Sequence, residues 1–252
     1  MAERLIVANV VYTANIDGYD VVPALRASHK RDWRALCFQD QEGPASGWTF
    51  GALPEEEWWS RLIPPAKAKV IKIMPWLVLG DDWEQCVWVD ANIAVQKPLD
   101  DMPTGPFVTL QQRSTDQFYR ELRSIQSHPR GYLEPLRELI REKTQEYRDL
   151  GIPEKDRTGG ICTRWVYRQN TPSVKAFCEA VLHRFLMDGI WRDQVAWRVA
   201  AEQTGFNITR VSVTKAGIKM NCRHGGRGNQ AHAINVPWRP RGQSIVRKGP
   251  GQ

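Results

Sequence analysis

The sequence predicts an α/β protein in which a mixed, mainly parallel β-sheet lies between helices. Two observations predict this fold class. Segments such as LIVANVVYTA are apolar on both faces, which is typical of parallel strands that are covered on both sides. Segments with one apolar face, which is typical of helices, lie between these strands and fill much of the second half of the chain.

The predicted strands begin near the N-terminus. They are LIVANVVYTA, RALCFQD, the two strands of CVWVDANIAV, FVTLQQ, GGICTRWVYR and ITRVSV. The first strand ends in the loop NIDGYD, where Gly18 permits a turn conformation. CVWVDANIAV is unusual because a short polar turn with an aspartate separates its two apolar strands.

The predicted helices are marked by proline and glycine. PPAKAKVIKIMPWLVL opens with two prolines, and its interior Pro75 is expected to kink or end the helix. Residues 116–127 and 132–150 have amphipathic patterns, and the second ends before Gly151 with Pro153 beyond it. Two further helices, SVKAFCEAVLHRFLMDG and RDQVAWRVAAEQTG, are each expected to end at a glycine.

The 252 residues are enough for one large domain or two small ones. Without a repeat or a clear linker, we expect a single domain over residues 1–238 and a basic, flexible tail over residues 239–252. The net charge of +7 lies at the C-terminal end, because residues 201–252 contain nine Lys and Arg against one acidic residue. This excess predicts an acidic partner such as nucleic acid, phosphate or a membrane surface. A solvated tail without a partner is the alternative.

The location of the protein is predicted by its apolar segments and cysteines. The longest apolar stretches are too short to span a bilayer, and MAERLIVANV lacks the features of a secretory signal. The five cysteines are scattered, with no C-x-x-C spacing, which favours reduced and buried thiols. We therefore expect a cytoplasmic protein with no membrane span.

The turn VWVDAN is the first candidate site. It places Asp90 at the carboxyl end of a predicted strand, where ligands bind in open α/β sheets, and Asn92 follows two residues later. Two oxygen ligands in a short turn suit a hard divalent cation that bridges phosphates. A nucleotide-sugar diphosphate is a substrate that needs such a cation. The alternative is an ordinary turn with local hydrogen bonds.

Several motifs occur together with this turn in a characteristic order. They are VVYTANIDGYD, CFQD, RLIPPAKAKVIKIMPW, VWVDANI and WRDQVAW, spread over residues 6–204. In these motifs the chain resembles the GT-A glycosyltransferase-like proteins of domain-of-unknown-function family 616. The resemblance implies a Rossmann-like GT-A fold, a nucleotide-sugar donor and a Mn²⁺ or Mg²⁺ cofactor.

The resemblance also implies roles for individual residues. It places Tyr12, Thr13 and Ala14 at the nucleotide base and ribose, and Asp90 and Asn92 at the D-x-D position of the metal site. Asn92 departs from strict D-x-D, so it is expected either to be a weaker metal ligand or to contact the sugar. Trp76 is a second departure, since Pro75 is followed by histidine in the family pattern.

Lys69, Lys72 and Gly160 are further candidates for donor binding. The two lysines are three residues apart on a predicted helix and share one face, where they could meet the donor phosphates. Gly159-Gly160 precedes a strand and would permit close backbone approach to a ligand. A solvated helix face and a simple turn are the respective alternatives.

Asp193 and Gln194 are the candidate catalytic residues. They open a predicted helix, where Asp193 could simply stabilise the N-terminus. The segment RDQ also resembles the D-Q element of retaining GT-A enzymes, which implies that Asp193 orients the sugar or the acceptor and that Gln194 lies near the anomeric carbon. Asp193 is the candidate base if the reaction inverts the anomeric configuration. Retention and inversion both remain open.

A third metal ligand is predicted in RHGGRGNQAHAINVPW. Related GT-A enzymes take this ligand from a C-terminal histidine before Pro-Trp, so the resemblance implies His224, with His232 as the alternative. Neutral imidazole is a suitable ligand for Mn²⁺.

These features predict a metal-dependent glycosyltransferase. Hydroxymethylated bases in DNA are one candidate acceptor, because the basic C-terminal region would contact phosphates. The alternative is a catalytically degenerate GT-A fold that binds nucleic acid or phosphate. No P-loop, G-x-S-x-G, H-E-x-x-H or G-x-G-x-x-G motif supports another enzyme class.

Overall fold

The computed structural model describes residues 9–16, 22–30, 32–40, 46–112, 117–126, 134–154, 160–190 and 192–220. Its strands are β1 (Asn9–Asn15), β2 (Trp33–Gln39), β3 (Thr49–Gly51), β4 (Gln85–Val89), β5 (Ile93–Val95), β6 (Phe107–Gln112), β7 (Gly160–Gln169), β8 (Thr209–Val211) and β9 (Ile218–Met220). Its helices are α1 (Ala27–Lys30), α2 (Glu57–Ser60), α3 (Pro64–Ile73), α4 (Trp76–Leu79), α5 (Gln117–Gln126), α6 (Glu134–Asp149), α7 (Pro172–Asp188) and α8 (Asp193–Thr204).

Seven strands form one mixed sheet in the order β3-β2-β1-β4-β7-β6-β8. Strand β1 pairs in parallel with β2 and β4, β2 with β3, and β6 with β8. Strand β7 runs antiparallel to both of its neighbours, β4 and β6. Strands β5 and β9 form a separate antiparallel pair. The predicted α/β class, with a mixed and mostly parallel sheet flanked by helices, is confirmed and is compatible with a Rossmann-like fold.

Side chains of the central strands alternate between two apolar clusters, one on each face of the sheet. Val10 and Tyr12 of β1 belong to the cluster that contains apolar residues of α3, α7 and α8. Val11 points the other way and joins Trp165 of β7 and Ile93 of β5. A third cluster packs α5 and α6 against α8. Burial on both faces explains why the interior of β1, residues 10–14, is almost wholly apolar.

Proline and glycine set the helix boundaries as the sequence predicted. Helix α3 begins at Pro64 and ends at Ile73, because Pro75 disfavours helical backbone in the residue before it. The chain then forms the short helix α4. Helix α8 ends at Gly205, which has the left-handed backbone conformation (φ +66°) that glycine adopts readily.

Sequence patterns missed four of the short elements, which are α1, α2, β3 and β9. Each has only three or four residues, too few to show a helical or strand period. Four cysteines are free and buried, as predicted, and Cys222 lies outside the described residues. Within the described ranges, none of the helices combines the length and the apolar character needed to cross a bilayer.

Gly47→Ala is expected to destabilise the fold strongly. Gly47 has φ +83°, and a Cβ atom there would lie 2.0 Å from the carbonyl oxygen of Leu25. Gly205→Ala is the matched control, since Gly205 also has positive φ (+66°) but its Cβ would meet nothing within 4 Å. We expect the control to cost about 1 kcal/mol and Gly47→Ala clearly more, measured by urea unfolding. Equal losses would contradict the steric explanation.

Candidate functional site

The candidate site lies where the strand order of the sheet reverses. The chain runs from β1 outward through β2 to β3, and then returns to place β4 on the other side of β1. In open α/β sheets, ligands bind at the carboxyl ends of the strands that flank such a switch point. The carboxyl ends of β1 and β4 therefore mark the expected ligand position, and Asp90 is the first residue after β4.

Asp90 is held by main-chain and side-chain hydrogen bonds. Its N–H donates to the carbonyl of Arg164 on the neighbouring strand β7 (2.8 Å), and its carbonyl accepts from the N–H of Ile93 (2.9 Å). The Oδ1 atom accepts from the indole Nε1 of Trp88 (2.7 Å) and from Nζ of Lys72 (3.2 Å). The Asp90 side chain is 22% exposed. The carboxylate is therefore fixed in orientation while part of it faces solvent.

Lys69, Lys72, Asp90 and Asp193 form a single charge cluster. Lys72 Nζ contacts Asp90 Oδ1 (3.2 Å) and Asp193 Oδ2 (2.9 Å), so one ammonium group joins two carboxylates. Lys69 Nζ contacts Asp193 Oδ1 at 3.2 Å. The shared face predicted for the two lysines is thus directed at the carboxylates. The alternative of a fully solvated helix face does not describe Lys72, whose side chain is only 1% exposed, whereas that of Lys69 is 28% exposed.

Asp193 is almost completely enclosed by these partners. Its Oδ2 atom also accepts hydrogen bonds from Thr163 Oγ1 (2.7 Å) and Trp197 Nε1 (3.3 Å). Asp193 is the first residue of α8, where the helix dipole favours a negative charge. The carboxylate therefore lies at a helix N-terminus, as one reading of the sequence has it, and it also holds the two lysines. Its predicted contact with a sugar or an acceptor stays a prediction.

Opposite charges dominate the pKa values of the two carboxylates. Burial raises the pKa of Asp193, but the ammonium groups of Lys69 and Lys72 lower it more, and the result lies well below the usual carboxyl range. The pKa of Asp90 is also lowered, because the attraction of Lys72 and Lys69 outweighs its burial. Both side chains are therefore ionised at neutral pH, and Asp193 is a weak proton acceptor.

The pKa values of the two lysines shift in opposite directions. Burial lowers the pKa of Lys72, and the nearby Lys69 ammonium adds to this effect against the attraction of the two carboxylates. Burial also opposes the charged form of Lys69, but Asp193 and Asp90 raise its pKa above the ordinary lysine value. Lys69 is therefore a permanent cation that solvent can reach.

Asn92 supplies an oxygen that has no partner among the described residues. Its Oδ1 atom is buried and makes no hydrogen bond, two positions after Asp90. A hard cation such as Mn²⁺ or Mg²⁺ prefers oxygen ligands of this kind, so Asp90 and Asn92 are suitable as two ligands of the predicted metal. No group of three His, Cys, Asp or Glu side chains comes together within the described ranges. His224 and His232, the predicted third ligands, lie outside those ranges.

The remaining predicted residues lie around the cluster. Tyr12, Thr13 and Ala14 are buried at the end of β1, and the Tyr12 hydroxyl points to Lys72 and Arg168 in the core. Their predicted contact with a base and ribose stays a prediction.

The antiparallel direction of β7 determines where the other predicted residues lie. Its first residue, Gly160, pairs with Gln112 at the last residue of β6, so β7 begins at the edge where the parallel strands end. Gln194 donates from Nε2 to the carbonyl of Ile161 in the same part of β7 (3.0 Å). Gly160 and Gln194 are therefore both tied to the candidate edge of the sheet.

Trp76, the departure from the family pattern, has a structural contact. Its indole Nε1 donates to Asn170 Oδ1 (2.9 Å), and its ring centroid lies 5.0 Å from that of Trp83.

Sequence reasoning missed three residues that contact the carboxylates. Trp88 lies on β4 two residues before Asp90, which directly follows the strand, and Trp197 lies four residues after Asp193 on one helix. Both spacings place side chains on the same side of their element and could have identified them. Thr163 carries no such signal, because its contact with Asp193 depends on how β7 packs against α8.

Comparisons with known proteins leave the resemblance as a prediction from sequence motifs. A scan against protein-family models and a search of curated proteins each found no match. The functional conclusion therefore depends on the geometry of the cluster. The cluster presents two ordered carboxylates and a partly exposed ammonium, and the Asn92 oxygen, which has no partner among the described residues, lies two positions after Asp90.

Asp193→Asn is expected to lower the free energy of unfolding by about 3–5 kcal/mol at pH 7, because it leaves buried Lys72 with one carboxylate instead of two. The contribution of Asp193 is present above the unfolded-state pKa of about 3.9 and is lost as pH falls toward the lower folded-state pKa. The difference between wild type and Asp193→Asn should therefore shrink between pH 5 and pH 2, measured by urea unfolding.

Asp81→Asn is the matched control. Asp81 pairs with Lys175 at 3.1 Å, but its side chain is 78% exposed, so we expect a change within about 0.5 kcal/mol. A pH-independent loss in Asp193→Asn would contradict the assignment of the carboxylate charge as the stabilising element.

Proposed function

We propose that the chain is a metal-dependent glycosyltransferase of GT-A fold that moves a sugar from a nucleotide-sugar donor to a hydroxyl acceptor. The observation that carries the proposal is the cluster of Lys69, Lys72, Asp90 and Asp193 at the switch point of the sheet. A diphosphate needs fixed cations, and a divalent metal needs fixed carboxylate or amide oxygens. The cluster offers both beside the carboxyl ends of β1 and β4.

Lys69 is the proposed contact to the donor diphosphate. It remains charged at neutral pH, and its side chain is 28% exposed. Lys72 is closed off from solvent, at 1% exposure, and serves as the counter-ion that keeps Asp90 and Asp193 in place. Of the two lysines that the sequence predicted, Lys69 is thus proposed to contact the ligand, and Lys72 to hold the two carboxylates from inside the protein.

Asp90 and Asn92 are the proposed ligands of Mn²⁺ or Mg²⁺, with His224 or His232 as the third. Both hydrogen bonds described for the Asp90 side chain go to Oδ1, and the Asn92 amide oxygen is unpartnered among the described residues. A divalent cation held there would neutralise part of the charge that builds on the departing diphosphate.

Gln194 and Asp193 are the residues proposed to face the reacting sugar. The hydrogen bond to Ile161 sets the orientation of the Gln194 amide, which by the resemblance lies near the anomeric carbon. Asp193 would act as base in an inverting reaction, whereas in a retaining reaction it would orient the acceptor or the sugar. Its low pKa and four partners favour an orienting role.

The second candidate function is a catalytically degenerate GT-A fold that binds nucleic acid or phosphate. The specific observation in its favour is that Asp193 is buried and ion-paired through both oxygens, which makes it a weak base. Turnover separates the two functions, because a degenerate fold would bind the donor with Mn²⁺ present and release no free nucleotide from it.

One nucleotide sugar is expected to raise the melting temperature, and Mn²⁺ is expected to enlarge the shift, because a ligand that binds only the folded state stabilises it. The measurement is a thermal-shift panel of nucleotide sugars with and without Mn²⁺. Asp90→Ala should abolish the dependence on Mn²⁺. Lys69→Met should weaken donor affinity about tenfold or more, since a charge-assisted hydrogen bond contributes about 1.5–3 kcal/mol.

Lys67→Met is the matched control for Lys69→Met. Lys67 lies on the same helix, but its ammonium lies 5.9 Å from the ring of Trp59 instead of at the carboxylates. Donor affinity should therefore be unchanged in this variant. Absence of a shift with every donor, or equal losses in the two lysine variants, would overturn the proposed donor site.

DNA that contains hydroxymethylated bases is the acceptor that we propose to test first. Residues 201–252 hold nine of the chain's 35 Lys and Arg residues and one of its 28 acidic residues, which suits a polyanion.

Deletion of residues 239–252 is expected to lower DNA affinity at least tenfold at low salt while hydrolysis of the donor continues. The deleted segment contains four Lys and Arg residues and no acidic residue. Filter retention over a salt series, together with release of free nucleotide, measures the two effects. Unchanged retention of DNA on the filter would contradict the proposal that this segment binds DNA.

A further inference from the structure

Arg168, on β7, is a buried cation whose charge has no carboxylate partner in the part of the chain that the structure describes. It is 0% exposed, and its guanidinium lies 5.6 Å from the ring of Phe107 and 5.5 Å from that of Trp197. Its electrostatic neighbours are Tyr12, Cys86 and Cys178, none of which is a carboxylate. An apolar side chain could fill this part of the core without the cost of burying a charge.

The hydrogen bonds of Arg168 are directed at the end of α3. One terminal nitrogen donates to the Tyr12 hydroxyl (2.8 Å), and the other donates to the carbonyl oxygen of Lys72. The Tyr12 hydroxyl also donates to the Lys72 carbonyl at 3.4 Å. The last carbonyls of a helix have no partner within the helix, so cationic side chains are favourable there. Two buried donors therefore fix one carbonyl group.

That carbonyl belongs to the residue at the centre of the charge cluster. Lys72 extends in two directions: its carbonyl is held by Arg168 and Tyr12, and its ammonium lies between Asp90 and Asp193. A shift of the last turn of α3 would move Nζ away from distances of 3.2 and 2.9 Å to these carboxylates. Lys69, three residues earlier on the helix, would move with it.

We propose that Arg168 is a positioning residue of the donor site, which sets the last turn of α3 so that Lys69 meets the donor diphosphate. It acts from the opposite side of Lys72 and does not touch the ligand. This inference rests on the proposed function, because it assumes that the cluster binds a diphosphate.

Inorganic pyrophosphate, with and without Mn²⁺, is the probe for this proposal. Isothermal titration calorimetry should give a Kd for wild type that rises about tenfold or more in Arg168→Met, while the variant still melts cooperatively. Arg168→Lys should recover part of the affinity, because its ammonium can still donate to the Lys72 carbonyl. Recovery by a conservative change is not expected if Arg168 only fills space.

Arg184→Met is the control for loss of a largely enclosed arginine elsewhere. Arg184 pairs with Glu146 at 2.9 Å and Asp188 at 3.5 Å. This variant is expected to lose stability without a change in the Kd of pyrophosphate. An equal rise in Kd in Arg184→Met would overturn the proposal, since affinity would then follow stability alone.

The outcomes separate the inference from the proposed function. Absence of pyrophosphate binding to wild type overturns the donor site itself. Binding to wild type with an unchanged Kd in Arg168→Met overturns only the role of Arg168.

If Arg168→Met does not fold, Tyr12→Phe removes one of the two donors to the Lys72 carbonyl and should raise Kd about two- to tenfold. An unchanged Kd in Tyr12→Phe then contradicts the proposal.

Discussion

The ammonium group of Lys72 is the interaction on which the candidate site depends. It joins α3, the end of β4 and the start of α8 through Asp90 and Asp193. Removing a lysine ammonium from water is expensive, and the two carboxylates offset this cost only at close range. The three elements must therefore keep their relative positions for the charges to remain matched.

The protein replaces water around these charges with its own donors. The indoles of Trp88 and Trp197 and the hydroxyl of Thr163 all donate to the two carboxylates. Donors that are fixed in advance stabilise charge without reorganising. The aromatic residues of the core therefore contribute to the electrostatics of the site as well as to packing.

Much of the fold could be predicted, because its central strands are buried on both faces and its helices are bounded by Pro and Gly. The location of Asp90 at a strand end also followed from the sequence. The burial of Lys72 did not, since a lysine three residues from another predicts only a shared helix face. Its contact with Asp193, 121 positions later, depends on the order of the sheet strands and on the packing of α8. Patterns of neighbouring residues contain no information on the strand order or on the packing of α8.

The matched charges of the cluster also limit how this sequence can change during evolution. Of the three ion pairs in the cluster, loss of Lys72 leaves only Lys69–Asp193, and loss of Asp193 leaves only Lys72–Asp90. Each single replacement leaves a buried charge without one of its counter-charges and therefore destabilises the protein. Replacing an oppositely charged pair by neutral residues together avoids this cost. Descendants of this chain are therefore expected to keep the whole cluster or to lose its members together.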